Sequence, residues 1–172
     1  VILLLSSVLL SAAERPNVVF ILADDLGYGD VKSFGGEKSK VPTPHFDRLC
    51  KEGMKFTNAH VTDSVCVPSR TSIMTGRYAF RFGKGEQGGP WGFIGLRFPT
   101  SQHTVGKMFR SGGYSTGYVG KWHLGGTPEY HPSKRGFDEA VESEGRHFDF
   151  ETKPKTEYPK GQYLADFLTD KA

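Results

Sequence analysis

With 172 residues, 37% of them hydrophobic and 13% aromatic, the chain is long and apolar enough to enclose a core, which excludes a disordered tail. Two cysteines, Cys50 and Cys66, are too few for a disulfide scaffold. The net charge of +3 is unevenly spread: residues 1–65 carry −1, residues 66–125 carry +7 and residues 126–172 carry −3, so the basic middle suits a small anionic ligand.

The first element in chain order is the apolar run at 1–10, followed by Ser11-Ala12-Ala13. About ten apolar residues are too few to cross a bilayer. The small residues suit a signal peptidase, so 1–13 are expected to be a secretory leader lacking its initiator Met and basic start, and the protein to be exported. An apolar first strand or a membrane anchor is the alternative.

Val18-Val19-Phe20-Ile21-Leu22-Ala23 is an uninterrupted branched run that predicts a strand buried on both faces. It ends in Asp24-Asp25, at the carboxyl end of a strand, where open α/β sheets bind ligands. These paired carboxylates are hard oxygen donors appropriate to calcium or magnesium. Taken alone, such a pair is more often a helix cap or a solvated turn.

Thr43-Pro44 provides an N-cap and a proline at the first helical position, and Gly53 a stop, which predicts a short helix carrying Phe46, Leu49 and Cys50 on one face. Residues 55–61 mix β-branched and aromatic types and predict the next strand. It delivers the chain to Cys66-Val67-Pro68-Ser69-Arg70, with a helix expected over 68–75 and then Thr75-Gly76-Arg77. A cysteine at such a helix start lies among unpaired N–H groups and the positive end of the helix dipole, so it faces a bound anion; Arg70, one turn on, can aim at the same spot.

Residues 78–99 are glycine- and aromatic-rich without period and predict an active-site loop. Val105, Met108 and Phe109 at helical spacing, closed by Gly112-Gly113, predict a helix; residues 115–120 predict a strand that exits into Lys121 and His123. Residues 163–172 begin an amphipathic helix. This alternation predicts an α/β fold with a largely parallel sheet. His45, His60, His103, His131 and His147 show no metal-cluster spacing and are expected to be structural or surface residues.

Three stretches together resemble the type I sulfatases. They are the opening strand ending in Asp24-Asp25-Leu26-Gly27, the Cys-x-Pro-Ser-Arg segment with its Thr-Gly-Arg, and Gly120-Lys121-Trp122-His123-Leu124-Gly125. The resemblance implies an alkaline-phosphatase-like sandwich, a central mostly parallel sheet flanked by helices, with 14–172 forming the amino-terminal part of the catalytic domain. It implies that Cys66 is oxidised to formylglycine by a maturase, that Asp24, Asp25 and position 66 bind Ca2+, and that Arg70 orients the formylglycine. Lys121 and His123 then act as catalytic and substrate-binding residues, Lys121 on a sulfate oxygen and His123 on a formylglycine hydroxyl. Further metal ligands and a leaving-group His and Lys are expected beyond residue 172. Gly136-Phe137-Asp138 resembles a recurring family segment near the active-site rim and receives no role.

Chemically, a hydrated aldehyde answers a difficulty that a thiol leaves open. A thiol that attacked sulfate would form an ester that is awkward to release, whereas one hydroxyl of a gem-diol can attack sulfur and the other can then expel sulfate as the carbonyl re-forms. The expected function is hydrolysis of a sulfate monoester, with a sulfated carbohydrate as a candidate substrate. A phosphonate or phosphate monoester hydrolase of the same superfamily, and a non-catalytic sulfated-glycan binding fragment, are the alternatives. A plain disulfide between Cys50 and Cys66 would need neither Pro68-Ser69-Arg70 nor the Thr-Gly-Arg that follows. No nucleic-acid-binding motif accompanies the basic segment, so nucleic acid is not an expected partner.

Overall fold

The computed structural model describes residues 15–82 and 98–172. The expected leader at 1–13 and most of the predicted loop at 78–99 therefore lie outside the described residues. The chain forms two compact units, one ending at Lys55 and the other spanning Phe56–Ala172.

In the first unit the short helix α1 (Lys32–Gly35) and helix α2 (Pro44–Glu52) pack together. Helix α2 begins and ends where the sequence places it, with Pro44 in its first turn and the Gly53 N–H closing it on the Leu49 carbonyl. Thr43 departs from the expected role. Its Oγ1 accepts from the Lys32 N–H rather than capping its own helix, while Asp47 Oδ1 accepts from the Ser33 backbone N–H at 2.9 Å. These bonds tie α2 to α1 and leave Phe46 and Leu49 exposed and Cys50 half-buried.

The predicted strand at 18–23 is not formed. Residues 15–23 take no regular structure, and Val19 and Ile21 are 82% and 75% exposed. A strand exists through pairing of its N–H and C=O groups with a neighbour, and no neighbour pairs with this run among the described residues. The segment at 55–61 corrects the sequence reading in the same way: it is exposed turn and coil.

The second unit holds the sheet. Strand β1 (Gly117–Gly120) runs parallel to β2 (Glu139–Arg146), and β2 turns back antiparallel onto β3 (Asp149–Lys153), giving the order β1-β2-β3. The expected parallel pairing is present in β1 and β2, and the β2–β3 hairpin makes the sheet mixed. Helices α3 (Cys66–Thr75), α4 (Val105–Ser111) and α5 (Leu164–Lys171) complete the unit. Helix α4 is capped by Thr104, whose Oγ1 accepts from the Lys107 N–H at 3.2 Å.

Met74, Phe98, Trp122, Leu124 and Phe137 form the core, with Val67, Ile73, Phe82, Val105 and Tyr118 packed on it. A second aromatic cluster, Phe150 stacked on Tyr158 and both against Phe167, docks α5 beside β3. The connection between β1 and β2 thus carries both the core residue Trp122 and the polar residues Lys121 and His123.

Gly136-Phe137-Asp138, left without a role by the sequence, is a structural clasp. Gly136 sits at φ +104, and a Cβ there would lie 2.2 Å from the Lys107 nitrogen. Phe137 enters the core, and Asp138 accepts from the Thr116 N–H and hydroxyl, both at 3.0 Å, while pairing with Arg110 at 3.2 Å. The Thr116 hydrogen bonds hold the Asp138 carboxyl below its usual range. Next to the clasp, the Arg135 guanidinium donates to the carbonyls of Thr100 and Pro99 and lies 4.5 Å from the Phe98 ring centroid. Gly136→Ala is therefore expected to destabilise the protein by at least about 2 kcal/mol, combining left-handed strain with a backbone clash that no rotamer relieves. A denaturant midpoint unchanged from wild type would contradict this.

Candidate active site

Local chemistry positions Cys66. The Asp63 side chain accepts from the Val65 N–H at 3.2 Å and its carbonyl accepts from the Ser69 hydroxyl at 2.8 Å, turning the chain into α3. Val65 provides no side-chain cap, so Cys66, the first residue of the helix, sits beside N–H groups that no side chain at the cap position covers. Pro68 is tolerated in this first turn because its missing N–H has no partner to lose. At the other end Gly76 adopts the left-handed conformation, φ 64, and its N–H closes on the Ser72 carbonyl. The Thr-Gly of the signature is thus a helix stop, and Thr75 Oγ1 bonds back to the Thr71 carbonyl at 2.7 Å. Arg77, which closes the signature, is exposed.

Three of the residues named from the sequence meet within this unit. Lys121 Nζ donates to Cys66 Sγ at 3.6 Å, and Arg70 Nη1 donates to the Lys121 carbonyl at 2.6 Å. Arg70 is buried, at 8% exposure, so its charge is held away from bulk water and its field is little screened. Cys66 and Lys121 are half-buried, open enough for a ligand to reach them.

His123 lies two residues beyond Lys121, exposed, at φ 61. A left-handed non-glycine residue costs about 1–2 kcal/mol. Such strain persists where the surroundings impose it and concentrates at functional sites. Asp25, φ 56, and His147, φ 48, are the other non-glycine residues so placed among the described residues. His147, read from the sequence as a structural or surface residue, sits between β2 and β3 with its ring parallel to that of Tyr163 and its carbonyl bonded to the Leu164 N–H. Asp24 and Asp25 lie in the first unit, at a bend directly after the unpaired segment, both exposed. No disulfide forms among the described residues.

One contributor escaped the sequence reading. The Tyr118 hydroxyl donates to the same Lys121 carbonyl at 2.5 Å. Its only sequence signal is an aromatic residue three positions before a lysine at a strand end, which is too common to single out.

A family profile described as Sulfatase matches residues 16–172. The chain is 42% identical over 126 residues to arylsulfatase G of Rattus norvegicus, an alignment covering 73% of this chain and 23% of that protein. It is 38% identical over 144 residues to N-acetylgalactosamine-6-sulfatase of Sus scrofa, covering 80% and 27% respectively. The chain thus spans about a quarter of the length of these curated relatives. Among solved structures it superposes on Ps i-CgsB with a TM-score of 0.77 at 33% identity, covering 92% of this chain and 40% of that one. A second, solved in complex with its substrate D-glucosamine-2-N,6-O-disulfate, gives a TM-score of 0.72 at 30% identity, covering 92% and 30%. This likeness bears out the α/β, alkaline-phosphatase-like architecture expected from the sequence. The three motifs, the fold they share with these structures and the match along almost all of its length establish that this chain belongs to the sulfatase family.

Proposed function

We propose that the chain carries the nucleophile and sulfate-binding part of an enzyme that hydrolyses sulfate monoesters, with position 66 as the covalent nucleophile. The supporting observation is the contact of the Lys121 ammonium with Cys66 Sγ, held by Arg70 on the Lys121 carbonyl. A cation fixed against the reacting atom stabilises charge as it develops on sulfate oxygens, in a setting that needs little reorganisation.

Conversion of Cys66 to formylglycine by a maturase fits a half-buried residue in the first turn of a helix, where the hydrate oxygens meet backbone N–H groups. The hydrated aldehyde supplies the attacking hydroxyl and a second one whose deprotonation releases sulfate. Lys121 neutralises a sulfate oxygen, His123 exchanges a proton with a hydroxyl of the hydrate, and Arg70 holds Lys121 in place. The hydroxyls of the hydrate, unlike a thiol, are also hard donors.

Asp24 and Asp25 fit calcium by donor chemistry: they are two adjacent, exposed carboxylates, which are hard oxygen donors. When bound, calcium supplies positive charge for the sulfate. Asp24→Asn and Asp25→Asn are expected to make turnover depend on added calcium after chelation. Asn is the appropriate replacement at position 25 because it tolerates the left-handed backbone there. Turnover that withstands chelation as in wild type would remove the aspartates from the metal site.

The substrate class we infer is a sulfated sugar, supported by the N-acetylgalactosamine-6-sulfatase relative and by the neighbour solved with a disulfated glucosamine. An exported protein, with residues 1–13 as leader, suits such a substrate. No helix among the described residues is long and apolar enough to cross a membrane. The deciding experiment combines mass spectrometry across Cys66 in host-made enzyme with paired kinetics on an aryl sulfate and an aryl phosphonate. Loss of sulfur and gain of oxygen at residue 66, with faster sulfate turnover, is the expected result. Faster phosphonate turnover overturns the substrate class, and an intact thiol in active enzyme overturns the mechanism.

A further inference from the structure

Strand β1 ends at Gly120, which adopts φ +115, and residues 121–123 leave the sheet without regular structure. The sheet ladder therefore does not fix the direction of Lys121. The Lys121 carbonyl accepts two hydrogen bonds that restrain it: from Arg70 Nη1 at 2.6 Å and from the Tyr118 hydroxyl at 2.5 Å.

We propose that Tyr118 is a positioning residue for the reaction: its hydroxyl fastens the Lys121 peptide group and so sets the Lys121 ammonium against residue 66. This rests on the reading of Lys121 as the cation that meets the sulfate. Tyr118 is suited to the task because its ring is itself locked. It meets Trp122 edge-on at 5.0 Å and Phe137 at 5.2 Å, both of them buried core residues. A lysine side chain has several rotatable bonds, so a small error in the peptide plane at its root becomes a large displacement at Nζ. Two donors on one carbonyl, arriving from α3 and from β1, restrain that plane more tightly than either alone. The hydroxyl also remains a donor at every working pH, since burial pushes the Tyr118 phenol up to about 12, with Arg70 partly opposing the shift.

Tyr118→Phe removes this one donor and keeps the ring. The carbonyl retains Arg70, so no buried acceptor is orphaned and the thermal midpoint is expected to stay near that of wild type. In the host-made enzyme kcat is expected to fall about five- to tenfold with KM changed less than about twofold, the pattern of a lost transition-state alignment. Amide hydrogen exchange over residues 118–125 is expected to quicken about fivefold. Phe167→Leu is the stability control, because Phe167 packs on Phe150 and Tyr158 and not on the rings that lock Tyr118; it should lower the thermal midpoint and leave kcat unchanged.

An unaltered kcat in Tyr118→Phe overturns the proposal. So does a kcat in both variants that falls in step with thermal stability, since that marks a purely structural tyrosine. If wild-type enzyme shows no sulfate-ester turnover, the functional reading fails and exchange alone decides on Tyr118. Faster exchange in Tyr118→Phe then supports the anchor, and unchanged exchange overturns it.

Discussion

Cys66→Ala is expected to lower kcat by on the order of 10⁴-fold or more while leaving the fold in place. The two halves of that expectation have separate causes. Residue 66 is the first residue of α3, its side chain is half-buried, and the helix start is organised by Asp63 and Ser69 rather than by sulfur. Alanine is a good helix former and introduces no strain there. On the proposed mechanism, however, turnover depends on an atom at this position that can take a sulfuryl group, and a methyl group cannot. Cys66→Ser is expected to be equally inactive unless the host oxidises serine, because an ordinary hydroxyl lacks the second oxygen that releases sulfate. The measurement is single-turnover kinetics on an aryl sulfate beside circular dichroism. An active alanine variant would remove residue 66 from the chemistry.

Lys121→Ala is expected to reduce kcat/KM by about 10² to 10³-fold, the usual consequence of removing one preorganised electrostatic contact to a developing anion. The structure explains why the chain should survive this change. The structural bonds at residue 121 are made by its carbonyl, to Arg70 and Tyr118, and alanine keeps that carbonyl. The contact from Nζ to Cys66 is lost. Lys121→Arg is expected to restore little, because a planar guanidinium is longer and differently directed than the compact ammonium it replaces. Normal turnover in Lys121→Ala, measured with a native circular dichroism spectrum, would exclude this residue from sulfate binding.

Stretches with strong local signals were legible from the sequence. Helix α2 was marked by Thr43-Pro44 and Gly53, α3 by the Pro68 start, and α4 by the helical spacing of Val105, Met108 and Phe109 closed by Gly112-Gly113. Fixed proline φ and glycine stops act within one turn, so residue order alone encodes them, whereas the Thr43 hydroxyl was taken up by α1. The strands were less legible. Residues 18–23 have the composition of a buried strand and are exposed, whereas β2 was unforeseen because it buries Glu142 and Ser143 side by side. Burial raises the Glu142 carboxyl above its usual range, an arrangement that no hydrophobic pattern announces.

What the sequence determined by itself was the inventory of reactive groups: a cysteine at a helix start, an arginine one turn on, a lysine and a histidine after a strand, and a pair of aspartates. It also determined the short helices that present some of them, because those signals are local. Tertiary structure decided which groups meet and how they are held. The Lys121 ammonium reaches Cys66 across 55 positions of sequence because Arg70 and Tyr118 grip one carbonyl. Long-range hydrogen bonds depend on where two segments pack, and that is settled only when the core around Trp122 and Phe137 closes.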